Sequence, residues 1–314
     1  MSWKRLALLV VVCLTASAQA KIPIILDTDL GDSIDDAMAL AFALRSPELD
    51  VRAITTVIDD VESKTRLASK MLGIFNRRDI ALAMGATEPL LDPVMAPSSK
   101  EFEVLTRNDT IPDSARRRAV DLIVDTLLQS RQKITVVAIG PLTNIALALK
   151  ADPRIKNNIE RIVIMGGAYF TNQAEYNFKR DRTAAEIVFQ SGVPITAVGL
   201  DVTSQGKLRE KDLDQMRLAT DPAGQFVIRL LDLAEEQTHE ANPTLHDPLA
   251  IAAIFRPDLL DFQPGTVDIP LSGGGQAVFK PQATSKTKVG SKVNAAAFLD
   301  LFTERMSRGS GGLR

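Results

Sequence analysis

Apolar runs and amphipathic stretches alternate along most of this chain. A continuous apolar run over residues 22–26 ends in Asp27, and the stretch after Asp36 has a strong helical composition without glycine or proline. The pattern predicts further strands at residues 51–57, 80–83, 134–139, 161–165 and 195–200, and further helices at 62–75, 115–128, 142–149 and 183–190. This alternation indicates an α/β protein with a mostly parallel open sheet and flanking helices. After Asp201 the pattern becomes mainly helical.

Sheets of this kind bind ligands beyond the carboxyl ends of their strands. We therefore expect one crevice to be lined by the segments that follow Leu26, Val57, Ile139, Met165 and Leu200. The polar and glycine-containing residues of the chain concentrate in these segments, so we expect a ligand site there.

The first 20 residues differ from the rest. Lys4 and Arg5 precede an apolar run over residues 6–14, and residues 17–20 form a small-residue cleavage pattern. The alternative is a transmembrane anchor, but the run is much shorter than the about 20 residues that span a bilayer. We therefore predict a signal peptide at 1–20 and a periplasmic or secreted protein without a membrane partner.

No linker or repeat divides residues 21–314, so we predict one domain there.

Composition narrows the chemistry of this domain. Cys13 is the only cysteine and lies inside the apolar run, so thiol nucleophiles, thiolate metal sites and disulfides are not expected after cleavage. Acidic residues outnumber basic ones, 39 to 37, and no basic run is present. The sequence therefore does not favour a nucleic acid as partner.

Four carboxylates lie close together at the end of the first predicted strand. They are Asp27, Asp29, Asp35 and Asp36. Carboxylates that share one site raise each other's pKa unless a cation neutralises them, and hard divalent ions such as calcium prefer oxygen ligands. The alternative is that Asp35 or Asp36 caps the following helix. Capping needs one acid and leaves the Asp27-Thr28-Asp29 segment unexplained, so we favour a metal site.

Six ordered segments resemble the nucleoside hydrolase family. The first is DTDLG at 27–31 followed by DDA at 35–37. The others are GPLTNIA at 140–146, MGGA at 165–168, AEYN at 174–177, VGLDVT at 198–203 and HDPLA at 246–250. One such string arises easily by chance, but the ordered set, over residues 22–256, is difficult to explain otherwise.

The resemblance implies the nucleoside hydrolase fold, with a Rossmann-like core, and hydrolysis of the N-glycosidic bond of ribonucleosides to free base and ribose. It implies a calcium ion, Ca2+, held by Asp29, Asp36, Asp247 and the carbonyl of Ile139, together with a water and two ribose hydroxyls. Asp29 is then the general base that activates the water. We also expect a homo-oligomer, either a dimer or a tetramer.

The resemblance also implies which residues bind the substrate. They are Asp35, Asp60, Asn172, Glu175, Asn177 and His246. His246 directly precedes a metal-ligand aspartate, so it is a candidate both for donating to the leaving base and for orienting the substrate. The alternative for Asn172 is an ordinary turn asparagine.

The chain departs from the family pattern in three places. The loop after Gly31 has two extra residues in the Asp32-Ser33-Ile34 stretch, which predicts a bulge that shifts Asp35 or brings Asp32 beside the metal ligands. Many members have Gly-Asn where this chain has Asp59-Asp60, and we align Asp60 with that asparagine. An acid there accepts from a ribose hydroxyl but cannot donate. The loop that covers the base has no counterpart at 91–113, so the base preference stays open.

Three other functions are each compatible with part of the sequence. An aspartyl phosphotransferase suits Asp27-Thr28-Asp29 but leaves His246-Asp247 unexplained. A periplasmic binding protein normally stacks its ligand on aromatic rings, whereas Trp3 lies in the predicted signal and the only tyrosines, Tyr169 and Tyr176, lie at the resembling segments. A degenerate hydrolase that binds nucleosides or sugars without cleaving them is the main alternative to an enzyme.

Overall fold

The computed structural model describes residues 20–91 and 99–307. The predicted signal peptide thus lies outside the described residues, apart from Ala20. Among the residues that are described, no helix has both the length and the apolar character needed to cross a membrane.

Strands and helices alternate through most of the described chain. The strands are β1 Ile22–Thr28, β2 Leu49–Thr56, β3 Ala81–Ala83, β4 Ile134–Ala138, β5 Ile159–Met165, β6 Ile195–Val198, β7 Leu260–Asp268, β8 Val278–Pro281 and β9 Thr287–Val293. The α-helices are α1 Ile34–Leu44, α2 Val61–Ile74, α3 Ala119–Gln129, α4 Thr143–Ala151, α5 Tyr176–Arg180, α6 Arg182–Phe189, α7 Leu200–Thr203, α8 Glu210–Arg217, α9 Pro222–Thr238, α10 His246–Phe255 and α11 Ala295–Ser307. Short 3-10 helices cover Lys100–Val104, Asp113–Arg116, Pro153–Asn157 and Pro257–Leu259.

All nine of these strands form one open sheet, in the order β3-β2-β1-β4-β5-β6-β9-β7-β8. Neighbours from β3 to β9 are parallel, and β7 is antiparallel to both β9 and β8. The chain runs outwards from β1 in both directions, so the strand order reverses between β1 and β4. Such a reversal opens a crevice beyond the carboxyl ends of the two strands. The predicted mostly parallel α/β sheet is therefore confirmed.

Helices cover both faces of the sheet, and alternate residues of β1 enter two different cores. Ile24 and Leu26 pack with α1, α2, α9, α10 and α11, whereas Ile25 packs with α3, α4 and α6. Successive side chains of a strand point to opposite faces, so a strand that is buried on both faces reads as a continuous apolar run. This explains why residues 22–26 give so clear a strand signal.

Most predicted elements start or end within a few residues of the observed ones. The helix predicted at 115–128 begins only at Ala119, because Asp113–Arg116 forms a 3-10 helix first. The strand predicted at 195–200 ends at Val198, because Gly199 is the N-cap of the short helix α7.

The larger difference lies near the C-terminus. Residues after Asp201 are mainly helical as far as Phe255, as predicted, but the three strands β7, β8 and β9 follow. Many of their residues are partly or fully exposed, and they include Pro264, Gly265 and Gly290, which weaken the strand pattern. They extend the sheet beyond β6, so the prediction of a helical C-terminal portion was wrong for this part of the chain.

Asn144, on α4, joins three segments below the crevice. Its side-chain amide donates to Asp27 Oδ1 at 2.8 Å and to the Thr56 carbonyl at 2.9 Å, and its Oδ1 accepts from the Ala86 backbone at 3.0 Å. Asn144 is fully buried. It therefore satisfies buried polar groups of β1, β2 and the chain after β3 at once.

Replacing Asn144 with leucine is expected to destabilise the fold. The change keeps the size of the side chain but leaves several buried polar groups without partners, which costs roughly 3 kcal/mol in the free energy of unfolding. Urea denaturation followed by circular dichroism measures it. Asn157→Leu, at an exposed position, is the control and should change stability by less than about 0.5 kcal/mol. Equal stability of the two variants would contradict the bridging role.

Candidate active site

The acidic loop between β1 and α1 forms one wall of the site. Gly31 has a φ of 98°, and a Cβ there would lie 2.6 Å from the ring of Phe102, so only glycine fits this turn. Ser33 is the N-cap of α1, and Asp35 and Asp36 fall in its first turn. Neither acid is the cap, but both lie at the positive end of the helix dipole.

Four buried carboxylates meet at this end of the sheet. Asp29, Asp35, Asp36 and Asp247 are each at most 5% exposed. Oxygens of Asp35, Asp36 and Asp247 all lie within 4.8 Å of one another. The Asp247 backbone N–H donates to Asp35 at 3.2 Å, and the Thr28 hydroxyl donates to Asp36 at 2.5 Å. The loop after β1 and the first turn of α10 are thereby held together.

Burial and the neighbouring acids raise the pKa of three of these carboxylates, Asp29, Asp36 and Asp247. Burial, followed by Asp29, Asp247 and Asp35, raises the pKa of Asp36 well above its usual range. Burial, followed by Asp35 and Asp29, does the same for the pKa of Asp247. Burial and Asp32 raise the pKa of Asp29 in the same way, although Lys64 opposes this rise. A divalent cation would neutralise this set, and its oxygen donors suit a hard ion.

The metal ligands predicted from the sequence differ in one carboxylate from the carboxylates that lie closest together in the structure. We predicted Asp29, Asp36, Asp247 and the Ile139 carbonyl, whereas the tightest carboxylate group contains Asp35 instead of Asp29. Asp29 lies directly beside this group, because it shares a hydrogen bond with Asp36. Gly140 allows this approach, since a Cβ there would be 2.6 Å from Asp29 Oδ1. Asp35, Asp36 and Asp247 are therefore within reach of one cation, and Asp29 lines the same pocket beside them.

Helix α5 brings two further predicted residues to the site. Glu175 is its N-cap and accepts hydrogen bonds from the backbone N–H groups of Gly167, Asn177 and Phe178. The Asn177 amide nitrogen donates to the carbonyls of Ile139, at 2.8 Å, and Met165, at 3.2 Å. The amide nitrogen of Asn177 is thus committed to the backbone, and its side-chain oxygen is left to accept from a ligand.

His246 begins α10 directly before Asp247. Its Nδ1 lies 2.8 Å from the buried hydroxyl of Thr203, on α7. This contact fixes the orientation of the ring and leaves the other ring nitrogen for a ligand.

Together these residues line a pocket of about 520 Å³ beyond β1 and β4. The predicted site residues in its wall are Asp29, Asp35, Asp36, Ile139, Glu175, Asn177, His246 and Asp247. The other lining residues include Tyr176, Ser99 and Gln237. Eight of the residues singled out in the sequence therefore share one cavity.

Two predicted substrate-binding residues lie elsewhere. Asp60 is exposed and acts as the N-cap of α2, accepting from Ser63. Its neighbour Asp59 turns inwards instead and forms an ion pair of 2.5 Å with the buried Arg180. Asn172 is exposed and lies outside the pocket wall. The structure does not bring Asp60 or Asn172 together with the other site residues.

One ion pair beside the site was not identified from the sequence. Lys64 is 1% exposed and pairs with Asp32 at 2.6 Å, and it also donates to the Val57 carbonyl. A signal was present, because Lys64 lies among Val61, Thr65 and Ala68 on the apolar face of α2, where a lysine needs a partner. Asp32, in the lengthened loop, is that partner, and its other oxygen lies 3.4 Å from the Tyr176 hydroxyl.

The fold and the pocket define an enzyme of the open-sheet α/β class with a buried carboxylate cluster suited to a metal. Comparison with known proteins makes this more particular. The family model of the inosine-uridine preferring nucleoside hydrolases matches residues 24–300, so the chain belongs to this family.

Relatives support the same assignment. The chain is 36% identical over 311 residues to the pyrimidine-specific ribonucleoside hydrolase RihA of Escherichia coli O127:H6 (strain E2348/69 / EPEC), covering 91% of this chain and 98% of that one. It resembles the structure of the plant nucleoside hydrolase PpNRh1, with a TM-score of 0.78, 29% identity and coverage of 92% and 99% of the two chains. It also resembles the purine-preferring ribonucleoside hydrolase from Gardnerella vaginalis, with a TM-score of 0.76, 31% identity and coverage of 91% and 98%.

A divalent cation, tested here with calcium, is expected to stabilise the folded protein. The converging carboxylates exist only in the native state, and saturation at 100 times the dissociation constant adds about 2.7 kcal/mol. Thermal melting with millimolar calcium or with a chelator measures the shift. Asp247→Ala should abolish most of it, whereas Asp113→Ala, at a fully exposed position, should not. An unchanged melting midpoint in calcium would contradict the metal site.

Proposed function

We propose that this chain is an exported, calcium-dependent enzyme that hydrolyses the N-glycosidic bond of ribonucleosides to free base and ribose. The observation that carries the proposal is the group of four buried carboxylates, Asp29, Asp35, Asp36 and Asp247, in one pocket at the sheet edge. Export rests on the pattern of residues 1–20. A homo-oligomer remains part of the proposal as the family resemblance implies it.

The acceptors of the pocket suit a sugar. Asp35, Glu175 and the side-chain oxygen of Asn177 face a ligand mainly as hydrogen-bond acceptors, because the Asn177 amide nitrogen is held by two backbone carbonyls. Ribose offers several hydroxyl donors on a compact ring. The backbone bonds of Glu175 and Asn177 also fix these side chains before the ligand arrives, which reduces the entropy lost on binding.

The same oxygens suit calcium. Asp29, Asp36, Asp247 and the Ile139 carbonyl are the ligands that we propose, and Asp35 lies close enough to join them. These donors are all oxygens, and the mature chain has no cysteine to favour a softer metal. When bound, the cation would lower the pKa of a water molecule and hold the ribose hydroxyls.

Asp29 is positioned to act as the general base. It lies directly after β1, and the close approach of Gly140 restricts its side chain. Asp29 accepts a proton from the water that attacks the sugar carbon. Positive charge develops on the sugar as the bond to the base breaks, and the surrounding carboxylates stabilise it.

Asp29→Asn is expected to keep the fold and lose most turnover. The amide has the same size but cannot accept the proton of the water, and general-base catalysis contributes roughly 10²–10⁴ in rate. Single-turnover rates on uridine and inosine measure the loss, with a melting curve to confirm folding. Asp113→Asn serves as the matched control at an exposed aspartate. Near-native turnover of Asp29→Asn would exclude Asp29 as the base.

The protein is expected to prefer ribonucleosides over their 2′-deoxy analogues. A site built from buried polar partners discriminates against a missing hydroxyl by as much as ~10⁴–10⁵ in kcat/KM. The purified chain with calcium is assayed on uridine, inosine and their deoxy forms by release of free base. Both bases are needed because the relatives include pyrimidine-specific and purine-preferring enzymes. Equal rates on ribo and deoxy substrates would contradict the ribose clamp, and binding without cleavage would favour the nucleoside-binding alternative.

A further inference from the structure

A second, smaller cavity of about 200 Å³ adjoins the main pocket. The two cavities share Asp35, Gln237 and His246 in their walls. Further parts of the wall come from the acidic loop at 32–34, from the 3-10 helix Lys100–Val104, through Glu101, from α9, through Leu231 and Ala234, and from the segment after α9. We call this cavity the side chamber. A ligand that is longer than a ribose and is held in the main pocket therefore has a second compartment within reach.

Glu101 is the unusual residue of the side chamber. Its side chain is 2% exposed, and its Oε2 has no hydrogen-bond partner among the described residues. A buried polar atom without a partner costs about 1–3 kcal/mol, so its presence in a native protein calls for a reason. A ligand in the chamber would supply the missing partner.

The surroundings of Glu101 favour the protonated form of its carboxyl group. The charged groups that act on it, Asp35 and Asp32, are both carboxylates, and the nearby Lys64 is already paired with Asp32. Burial first, and then these two acids, raise the pKa of Glu101 to about 8. In its protonated form the carboxyl offers both a donor and an acceptor to a ligand.

The side chamber has both apolar and polar groups that a nucleobase can contact. Leu231 and Ala234 are buried aliphatic side chains that suit the flat face of a ring. Gln237 has its side-chain oxygen bound by the Lys100 backbone at 2.6 Å, so its NH₂ group remains to meet the polar edge of a base. The volume exceeds that of several water molecules, at about 30 Å³ each. The acceptor-rich main pocket would meanwhile hold the ribose.

We infer that Glu101 holds the base of the nucleoside in the side chamber and donates a hydrogen bond to it as it leaves. The inference rests on the proposed function and deepens it. The bond between the sugar carbon and the base nitrogen breaks, and its electron pair goes to the base. The water oxygen bonds to the sugar carbon and gives its proton to Asp29. The Glu101 hydroxyl donates a hydrogen bond to the base oxygen or nitrogen on which negative charge develops, and keeps its own proton. Asp29 then releases its proton to solvent and the departing base takes one up from solvent, so one water is consumed for each bond cleaved and the products are the neutral base and ribose.

Glu101→Leu separates this role from a structural one. The substitution replaces an unpartnered buried carboxyl by an apolar side chain of similar size, so the melting temperature should stay equal or rise. The kcat/KM on uridine and inosine should fall roughly 10²-fold or more, as expected when a donor to a leaving group is lost. A purely structural Glu101 would give a lower melting temperature instead. Glu103→Gln, an exposed position of the same 3-10 helix, is the control and should behave as wild type.

The leaving group provides the second readout. A nitrophenyl riboside releases a stable phenolate that needs no donor, so Glu101→Leu should cleave it within a few-fold of the wild-type rate. Glu101→Gln retains a neutral donor and should fall between Glu101→Leu and wild type on nucleosides. Equal losses on nucleosides and nitrophenyl riboside, or no loss on either, would overturn the inference.

Binding of the free base distinguishes this inference from the proposed function. If the wild-type chain cleaves neither nucleosides nor the nitrophenyl riboside, the proposed function fails. Calorimetry with uracil and hypoxanthine then still tests Glu101. Glu101→Leu should bind the bases roughly 10-fold more weakly, the value of one hydrogen bond. Equal affinities of wild type and Glu101→Leu would overturn the inference on their own.

Discussion

The arrangement of the site depends on one interaction, the repulsion among buried carboxylates. Asp29, Asp35, Asp36 and Asp247 are withdrawn from water at one end of the sheet, and burial together with their neighbours raises the pKa values of Asp29, Asp36 and Asp247. This repulsion destabilises the fold, so a functional group that offsets it is expected. A divalent cation supplies the compensating charge, and the oxygen atoms that hold it remain available to the hydroxyls of a sugar.

The surrounding fold opposes this repulsion with fixed dipoles and hydrogen bonds. Asp35 and Asp36 lie in the first turn of α1, and Asp247 in the first turn of α10, where the helix dipole favours negative charge. Glu175, on the other side of the pocket, is held by three backbone N–H groups. These contacts fix the acids in position whether or not a ligand is bound.

The sequence predicted the central part of the sheet well because its strands are buried on both faces. It did not predict β7–β9, since these strands are partly exposed, contain Pro264, Gly265 and Gly290, and join the main sheet through contacts distant in the chain. Eight of the pocket residues were identified, because they occur in short segments with a shared order. Asp60 was aligned with the family asparagine from sequence position alone, which does not show which side chain turns inwards; in the structure Asp59 turns inwards and pairs with Arg180. Glu101 and Gln237 gave no local signal, because the chamber that unites them is formed only by tertiary packing.

Helix α10 carries His246 and Asp247 into the pocket, while its residues from Pro248 to Ile254 are buried in the core against α1 and other elements. The same rigid body thus serves as both a ligand holder and a central part of the core. Packing changes far from the pocket are consequently transmitted to it. Enlarging Ala250 or Ala252, both fully buried, would displace the helix and with it the spacing of the acids. A substitution at a buried position of α10 therefore affects both the core and the ligand site. Such positions can vary only as far as the geometry of the site allows.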